Sequence, residues 1–263
     1  MSVVLYETDG AIATVTLNRP ERLNAMNREL IDAAVAAFEC AASDESIRVL
    51  ILTGAGRGFC AGGDLAGFAG GEFKRPQPVE SRIAELRRNM RSSQILRESD
   101  LITIAAINGA CAGAGFSWAC ACDLRYAAVS AKFNTAFLNA GLSGDFGGTY
   151  NLTRIVGSAK ARELYLLAER FDAETAERIG LVSKTLPEAE LMDYVRGVAR
   201  RLADSAPIAL RRIKQNLNDA TRLGFAEALD READRHARCS TTEDNTEAAK
   251  AFLEKRKPVF KGR

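Results

Sequence analysis

The sequence has one histidine and no C-x-x-C pair of cysteines, and these two features exclude several kinds of catalytic centre. His236 would have to serve any Ser-His-Asp or Cys-His arrangement, yet it lies in a charged stretch with helical spacing that is typical of a surface. The six cysteines form no C-x-x-C motif and have no histidine-rich partner segment. We therefore predict reduced core thiols and no metal or redox centre.

Neither sign of charge is in large excess. Lys and Arg total 36 against 34 Asp and Glu, a formal net charge of +2, and both signs are interspersed along the chain. Such a balance gives no field that would favour nucleic acid. The exception is a basic cluster at the C-terminus, which is either a solvated tail or a contact to an anionic ligand or a neighbouring subunit: Lys255, Arg256, Lys257, Lys261 and Arg263.

The N-terminus lacks the basic segment and long apolar run of a secretory signal, so we expect a cytoplasmic protein. The segment Leu101 to Cys122 carries no charge and is long enough to span a bilayer. However, Asn108-Gly109 is a turn signal, and Gly113 and Gly115 interrupt any helix. We predict a buried strand followed by a buried helix, and no contact with a membrane.

The remaining chain alternates strand and helix before it becomes almost wholly helical. With 263 residues and 47% hydrophobic residues, it can bury a sizeable core. The patterns predict a hairpin around Asp9-Gly10, a helix capped by Asn27, a strand at Arg48 to Thr53, and a helix at Val79 to Glu98 after a glycine- and proline-bearing segment at 67–78. Helices are also predicted at Ala161–Ala168 with Ser158 as cap, Ala173–Ile179, Glu188–Ala203, Pro207–Thr221, Gly224–Arg238 and Thr242–Lys255. This order predicts an α/β fold, with residues 1–200 as the core and 201–263 as a helical C-terminal region.

Two glycine-rich segments are the strongest candidates for function. The stretch from Asn108 to Gly148 contains a strand-turn-helix signal at Gly113-Ala114-Gly115, and the start of a helix presents free N–H groups that can hold an oxyanion. The loop from Gly54 to Asp64 carries five glycines, which indicates that its backbone is the functional part. Neither segment has the phosphate-loop or the dinucleotide-binding pattern.

Taken together, these segments resemble the crotonase family, the group of enoyl-CoA hydratases and isomerases, from about Val3 to the C-terminus. The motifs that carry the resemblance are Asn18-Arg19-Pro20-Glu21-Arg22-Leu23-Asn24-Ala25, Gly58-Phe59-Cys60-Ala61-Gly62-Gly63-Asp64-Leu65, the block from Asn108 to Gly148, Gly180-Leu181-Val182, and Ala251 to Lys257. The resemblance implies a crotonase-like ββα spiral core, an acyl-CoA substrate with no separate cofactor, and a helical C-terminal region that assembles a homotrimer or homohexamer.

The resemblance also implies the roles of individual residues. It places two backbone donors for a thioester oxygen on Gly63 and Ala114. For Asp64 a structural cap is the favoured role, Trp118 is either core or pocket wall, and Arg22 is either a CoA phosphate contact or a surface residue. The positions that it assigns to substrate binding are Arg22, Ala25, Ala61, Asp64, Leu65, Ser117, Trp118 and Phe137.

One departure from the hydratase pattern concerns the proton-transfer groups. Ser117 and Phe137 stand where the resemblance places the two hydratase glutamates, so ordinary hydration is not favoured. Asp145 is instead the candidate base, in the place where isomerases and dehalogenases of the family carry an aspartate. An enoyl-CoA double-bond isomerase is the favoured interpretation. Three alternatives remain: a hydratase, a dehalogenase-like hydrolase with Asp145 as nucleophile, and a non-catalytic acyl-CoA binding protein. For Asp145 itself, the alternative to catalysis is a purely structural role as a turn residue or helix cap.

Overall fold

The computed structural model describes residues 2–64 and 78–263, and in these ranges the chain forms two sheets surrounded by helices. The larger sheet has six strands in the order β1-β2-β3-β5-β7-β10, parallel except for the β1-β2 hairpin. In the smaller sheet β4, β6 and β8 are parallel and β9 is antiparallel to β8. The strands are β1 Val4–Asp9, β2 Ile12–Leu17, β3 Val49–Gly54, β4 Gly58–Cys60, β5 Ile102–Ile107, β6 Ala110–Ala112, β7 Leu124–Ala128, β8 Lys132–Asn134, β9 Phe171–Asp172 and β10 Lys184–Leu186.

The helices cover both faces of the larger sheet and form the C-terminal region. They are α1 Arg28–Ser43, α2 Val79–Asn89, α3 Arg91–Glu98, α4 Gly113–Ala121, α5 Gly148–Leu167, α6 Ala173–Arg178, α7 Glu188–Ala203, α8 Pro207–Asp219, α9 Phe225–Ser240 and α10 Glu243–Leu253. Short 3₁₀ turns lie at Pro20–Arg22 and Leu138–Ala140. The predicted α/β class, with its helical C-terminal region, is confirmed; the boundary at residue 200 stays a prediction.

The larger sheet is buried on both faces, as its continuous apolar strands predict. All six residues of β3 are buried, and their side chains alternate between two hydrophobic clusters because successive residues of a strand point to opposite faces. Leu50 and Leu52 belong to the cluster that contains α1 and α4, whereas Val49 and Ile51 belong to the cluster that contains α7. The sheet thus separates a larger core, next to the candidate site, from a smaller one.

Several predicted details are confirmed with small shifts. Asn27 caps α1 by accepting a hydrogen bond from the Leu30 N–H at 2.9 Å. In the first hairpin Asp9 pairs with Ile12, so the two-residue turn is Gly10-Ala11 rather than Asp9-Gly10. Gly10 has a φ of 56°, a left-handed conformation that glycine adopts without steric cost.

Two predicted helices differ from the observed ones. The segment Val79 to Glu98 forms two helices, because α2 is wholly outside the core while α3 turns to bury Ile95 and Leu96. The chain from Gly148 to Leu167 is helical throughout except for a kink at Gly157, whose φ of 80° interrupts the helix one residue before the predicted cap Ser158. Glycine allows that kink without strain. The predicted glycine- and proline-bearing segment 67–78 lies, up to residue 77, outside the described residues.

The C-terminal helices are tied to the core by a buried charge. The Lys214 ammonium on α8 lies 2.8 Å from the Asp123 carboxylate and donates to the carbonyls of Leu96 and Leu101 at 3.2 and 2.6 Å. A lysine that is 4% exposed needs such partners, since an unpaired buried charge is strongly unfavourable. The basic C-terminal cluster also pairs within the chain: Arg256 with Glu247, Lys257 with Asp204 and Arg263 with Glu243.

The uncharged segment from Leu101 to Cys122 contains the predicted strand and helix, β5 and α4, and between them the short strand β6, which was not predicted. Within residues 2–64 and 78–263, no helix has the length and apolar character that crossing a membrane requires.

Candidate active site

The N-terminus of α4 presents backbone N–H groups that have no partner among the described residues. Gly113 begins the helix with a φ of 51°, and no side chain caps it. The Ala114 N–H lies in the first turn, where an α-helix has no internal acceptor for it, and it donates no hydrogen bond to any described residue. This end of the helix also carries the positive end of the helix dipole.

The glycine loop before Asp64 is held by two asparagine side chains. Asn24, which is fully buried, donates to the carbonyls of Ala55 and Gly58 at 3.0 and 2.7 Å. Asn108 donates to the carbonyls of Gly54 and Gly56, both at 2.8 Å. These bonds fix a loop with little secondary structure of its own. Sequence reasoning missed both anchoring roles, although the two asparagines stand in the motifs that carry the family resemblance.

The Gly63 N–H points away from the neighbouring segment, which contains Met26. Gly63 forms a parallel bridge with Met26, in which the Met26 N–H donates to the Gly62 carbonyl and the Asp64 N–H donates to the Met26 carbonyl. The groups on either side of Gly63 are therefore used. The Gly63 N–H itself donates to no described residue, and Gly63 is exposed.

The two free N–H groups belong to backbones that touch. A methyl group at Gly62 would lie 2.9 Å from the Ala112 carbonyl oxygen and 3.4 Å from Gly113 Cα, and one at Gly115 would lie 2.4 Å from the Cys60 carbonyl oxygen. No Cβ fits at such distances, so both positions require glycine. Gly62 and Gly113 are in contact with each other, and the donor residues Gly63 and Ala114 directly follow them in the chain. The structure thus brings together the two donor residues that the sequence resemblance singled out.

Asp145 is partly buried near the loop that carries Gly63. Burial raises the pKa of its carboxyl from an ordinary value of 3.8 to about 7. Its Oδ1 is buried without a hydrogen-bond partner among the described residues. Burial also raises the pKa of the Cys60 thiol to about 12, and the Asp145 charge contributes to this shift, which places Asp145 close to the loop that carries Gly63.

The carboxyl of Asp145 does not cap a helix. Helix α5 begins after Gly147, and no side chain accepts a hydrogen bond at its N-terminus. Only the backbone carbonyl of Asp145 takes part in the turn, accepting from the Gly148 N–H at 3.0 Å. The structural alternative for this residue, a turn or cap formed by its side chain, has no support in the described contacts.

Aromatic packing holds the segment that carries Asp145. Phe146 has a φ of 47°, a left-handed conformation that costs a non-glycine residue energy. Its buried ring packs edge-on against Trp118, with ring centroids 5.9 Å apart. The strained backbone is therefore fixed by the core, and Asp145 is held in one position.

A second polar group near Asp145 was not found from the sequence. Gly148 has no room for a side chain, because a methyl group there would lie 2.3 Å from Ser117 Oγ and 2.5 Å from the Tyr165 hydroxyl. The Tyr165 hydroxyl is buried without a hydrogen-bond partner in the described part of the chain, and the ring stacks on Phe137 at a centroid distance of 6.1 Å. Burial raises the pKa of Tyr165, and the Asp145 charge contributes to the increase. Tyrosine inside an ordinary helical pattern gives no sequence signal for such a role.

Some of the other candidate residues form contacts within the chain, and others are exposed to solvent. Asp64 forms an ion pair with Arg19 at 3.0 Å, and Ala61 donates its N–H to the Leu23 carbonyl at 3.0 Å, as befits a structural role for both. Ala25 is buried and accepts from the Arg19 guanidinium at 2.6 Å, whereas Arg22 is exposed. Leu65 lies outside the described residues.

Trp118 occupies the core rather than a pocket wall. It is fully buried and donates its indole N–H to Ser92 Oγ at 2.9 Å, which corresponds to the core alternative. His236 is exposed on α9, far along the chain from every candidate group. In the part of the chain that the structure describes, no group of His, Cys, Asp and Glu could hold a metal ion, and the six cysteines are free.

Comparisons with known proteins agree with this architecture. Residues 7–263 match the family model for enoyl-CoA hydratase/isomerase. A short-chain-enoyl-CoA hydratase of Clostridium acetobutylicum is 35% identical over 97% of this chain and 95% of its own. A 1,2-epoxyphenylacetyl-CoA isomerase of Escherichia coli is 36% identical over the full length of both chains. The crystal structure of a putative enoyl-CoA hydratase from Streptomyces coelicolor, 35% identical, superposes with a TM-score of 0.93 over 99% of this chain and 94% of that one.

The chain therefore belongs to the enoyl-CoA hydratase/isomerase family and has the crotonase fold. It is an enzyme of that family, and its relatives include both hydratases and an isomerase.

Proposed function

We propose that this protein isomerises acyl-CoA thioesters through an enolate, with Asp145 as the group that moves the proton. The observation that carries the proposal is the state of Asp145, whose buried oxygen has no partner among the described residues and whose pKa is about 7. A carboxyl used only for structure would be hydrogen-bonded, and a base is most effective when its pKa lies near the working pH.

The backbone donors provide the other half of the chemistry. The N–H groups of Gly63 and Ala114 would hold the thioester oxygen, on which negative charge develops as the proton leaves the neighbouring carbon. Donors held in fixed positions stabilise such a charge strongly, and removal of one donor of this kind typically costs about 3–4 kcal/mol. The proposal uses no cofactor other than the CoA of the substrate, and the exposed Arg22 is available for its phosphates.

The proton transfer can be written as a balanced sequence. The ionised Asp145 takes a proton from the carbon between the thioester and the double bond of a 3-enoyl-CoA, and the electron pair moves to the thioester oxygen. The enolate then collapses, and Asp145 returns the proton to the far end of the double bond. The product is the 2-enoyl-CoA, and the enzyme is regenerated with no other reactant.

Two observations favour isomerisation over hydration. Ser117 is fully buried and Phe137 stacks on Tyr165, so the two positions that correspond to the hydratase glutamates hold no carboxylate that could activate water. In addition, a relative that is similar over its full length is a 1,2-epoxyphenylacetyl-CoA isomerase. Hydration of a short 2-enoyl-CoA should therefore be slow.

The test is exchange of the acidic proton in heavy water. Wild-type protein incubated with a 3-enoyl-CoA should transpose or exchange that proton, and Asp145→Asn should lower the rate by about a hundred- to ten-thousandfold, the usual loss for a positioned base. Asn keeps the size of Asp, so folding and CoA-ester binding should persist. The matched control is Asp193→Asn on the exposed side of α7, which should exchange like wild type.

Three outcomes would contradict this proposal. If Asp145→Asn binds CoA esters and exchanges within a few-fold of wild type, Asp145 is not the base. If wild type incorporates ¹⁸O from labelled water into Asp145 during turnover of a haloacyl-CoA, an aspartyl ester is formed and Asp145 is a nucleophile. Binding without turnover of any enoyl-CoA would indicate a non-catalytic acyl-CoA binding protein.

A further inference from the structure

The Tyr165 hydroxyl is a buried donor that nothing in the described part of the chain satisfies. It lies on α5, beyond the kink at Gly157, and its ring is fixed by parallel stacking on Phe137 with an interplanar angle of 6°. The hydroxyl oxygen has no hydrogen-bond partner. Burying such a group without a partner destabilises the fold, so its retention points to a partner that arrives with the ligand.

The nearest polar neighbour of the Tyr165 hydroxyl is Ser117, whose Oγ faces the same point above Gly148. Burial raises the pKa of Tyr165, and the neighbouring Ser117 hydroxyl lowers it in part. Among the described residues no atom, Ser117 Oγ included, meets the distance and angle of a hydrogen bond to the Tyr165 hydroxyl, and Ser117 donates its own proton to the Gly113 carbonyl at 3.3 Å. Within the described part of the chain the Tyr165 hydroxyl thus has no partner of hydrogen-bond geometry.

Other unsatisfied atoms occur close by in the fold. Asp145 Oδ1 and Asn151 Oδ1 are also buried without partners, and Asn151 lies on the first turns of α5, with its amide nitrogen near Gly147. Ser117, Tyr165 and Asn151 thus each place a polar atom against the backbone at Gly147 or Gly148, next to Asp145 in the chain. A pocket for a purely hydrocarbon acyl chain has no use for them, since apolar ligands leave polar groups unpaired.

We propose that Tyr165 is a specificity-determining residue whose hydroxyl donates a hydrogen bond to an oxygen on the acyl group, so that the site prefers oxygenated acyl-CoA thioesters to hydrocarbon ones. This inference rests on the proposed function in one respect, namely that the acyl group of a CoA thioester enters beside Asp145. Tyr165 takes no part in proton transfer, and its contribution is to binding and orientation of the acyl group.

Binding of saturated thioesters tests the inference separately from the reaction. Hexanoyl-CoA and its analogues with a keto oxygen on the third, fourth or fifth carbon are compared by calorimetry with wild-type protein. We expect at least one keto ester to bind about tenfold or more tightly than hexanoyl-CoA, because a buried donor rejects a ligand that leaves it unpaired. Saturated esters have no double bond to move, so failure of the isomerase proposal would not affect this comparison.

Variants identify the donor. Tyr165→Phe keeps the ring and its stacking on Phe137, and it should abolish the preference for the keto ester. Tyr126→Phe is the matched control, because Tyr126 is a buried tyrosine that packs on Tyr194 in the smaller core, on the opposite face of the larger sheet. It should retain the full preference.

Two results would overturn the inference. One is equal affinity of wild-type protein for hexanoyl-CoA and all keto esters, which would assign the Tyr165 hydroxyl to a bound water. The other is an equal loss of affinity for both kinds of ester in Tyr165→Phe, which would make Tyr165 a packing residue. If proton exchange by wild type is observed while the preference is absent, only this inference fails. If the preference is observed without exchange, only the proposed reaction fails.

Discussion

At the scale of single residues, the state of Asp145 couples the reaction to pH. A base must be ionised to accept a proton, and the pKa of this carboxyl is about 7. The rate of isomerisation should therefore be low at pH 5, rise through pH 7, and level off above pH 8. The measurement is kcat/KM for a 3-enoyl-CoA across this range. A profile that is flat from pH 5 to pH 8 would show either that the pKa of Asp145 is not raised or that another group is the base.

The same carboxyl should lower stability at high pH. The folded protein keeps the Asp145 proton up to about pH 7, whereas the unfolded chain releases it near the ordinary value of 3.8, so the native state binds more protons between these values. Stability contributed by this group therefore falls as pH rises from 4 to 7. Since one pKa unit corresponds to about 1.4 kcal/mol, and part of the shift is screened by solvent, the loss is on the order of 2 kcal/mol.

Asp145→Asn removes this titration. The variant should be about as stable as wild type near pH 4 and more stable at pH 8, by on the order of 2 kcal/mol. Urea unfolding of both proteins at the two pH values measures the difference. A stability difference that does not change with pH would contradict the raised pKa.

At the scale of elements, the packing of α4 on the glycine loop determines the distance between the two backbone donors. Gly115 is the closest contact, because a methyl group there would meet the carbonyl oxygen and side chain of Cys60 at 2.4 to 2.7 Å. Gly115→Ala must push α4 away from the loop. We expect a loss of stability of about 1–3 kcal/mol, typical of overpacking, and a large loss of activity.

A second helical glycine provides a control, because its substitution should change stability in the opposite direction. Gly197 lies in the interior of α7, and a methyl group there meets nothing within 4 Å. Gly197→Ala should therefore stabilise the protein by about 0.5–1 kcal/mol, through helix propensity alone, without a change in activity. Thermal unfolding and turnover of both variants check the pair. If the two substitutions have similar effects, the close approach at Gly115 does not decide the geometry of the site.

At the scale of the whole molecule, the C-terminal helices leave large apolar side chains uncovered. Phe225, Phe252 and Leu253 are 81%, 83% and 79% exposed, and Leu217 and Leu229 on the preceding helices are also exposed. Large exposed apolar side chains concentrated in one region are typical of a protein interface. We therefore predict that these helices form a subunit interface, and the family resemblance implies a homotrimer or homohexamer, with a mass of three or six times 28.4 kDa.

Sedimentation velocity at micromolar concentration tests the assembly. The double variant Phe225→Asp and Phe252→Asp should shift the protein toward monomer, since charge is strongly unfavourable in the core of an interface. Val129→Asp is the control, because Val129 is 59% exposed at the end of β7, outside the C-terminal helices. A wild-type protein that sediments as a stable monomer would contradict the prediction.

The sequence by itself determined those features that depend on local pattern. The apolar runs of β3 and β5, the cap at Asn27 and the helix Glu188–Ala203 follow from periodicity and capping, which act over a few residues. The short strands of the smaller sheet were not predicted, because three residues carry too little pattern. The family motifs identified Gly63, Ala114 and Asp145 as candidates, since each of these residues lies within a recognisable sequence motif.

Only the tertiary structure decided what surrounds these candidates. Among residues 2–64 and 78–263, it left the Gly63 N–H and Asp145 Oδ1 without a hydrogen-bond partner, while Met26 pairs with the groups on either side of Gly63 and burial raises the pKa of Asp145 to about 7. It also brought Tyr165 to Ser117, from the far part of a kinked helix. Burial, desolvation and missing hydrogen bonds are properties of atoms that are distant in the chain, so no local pattern can encode them.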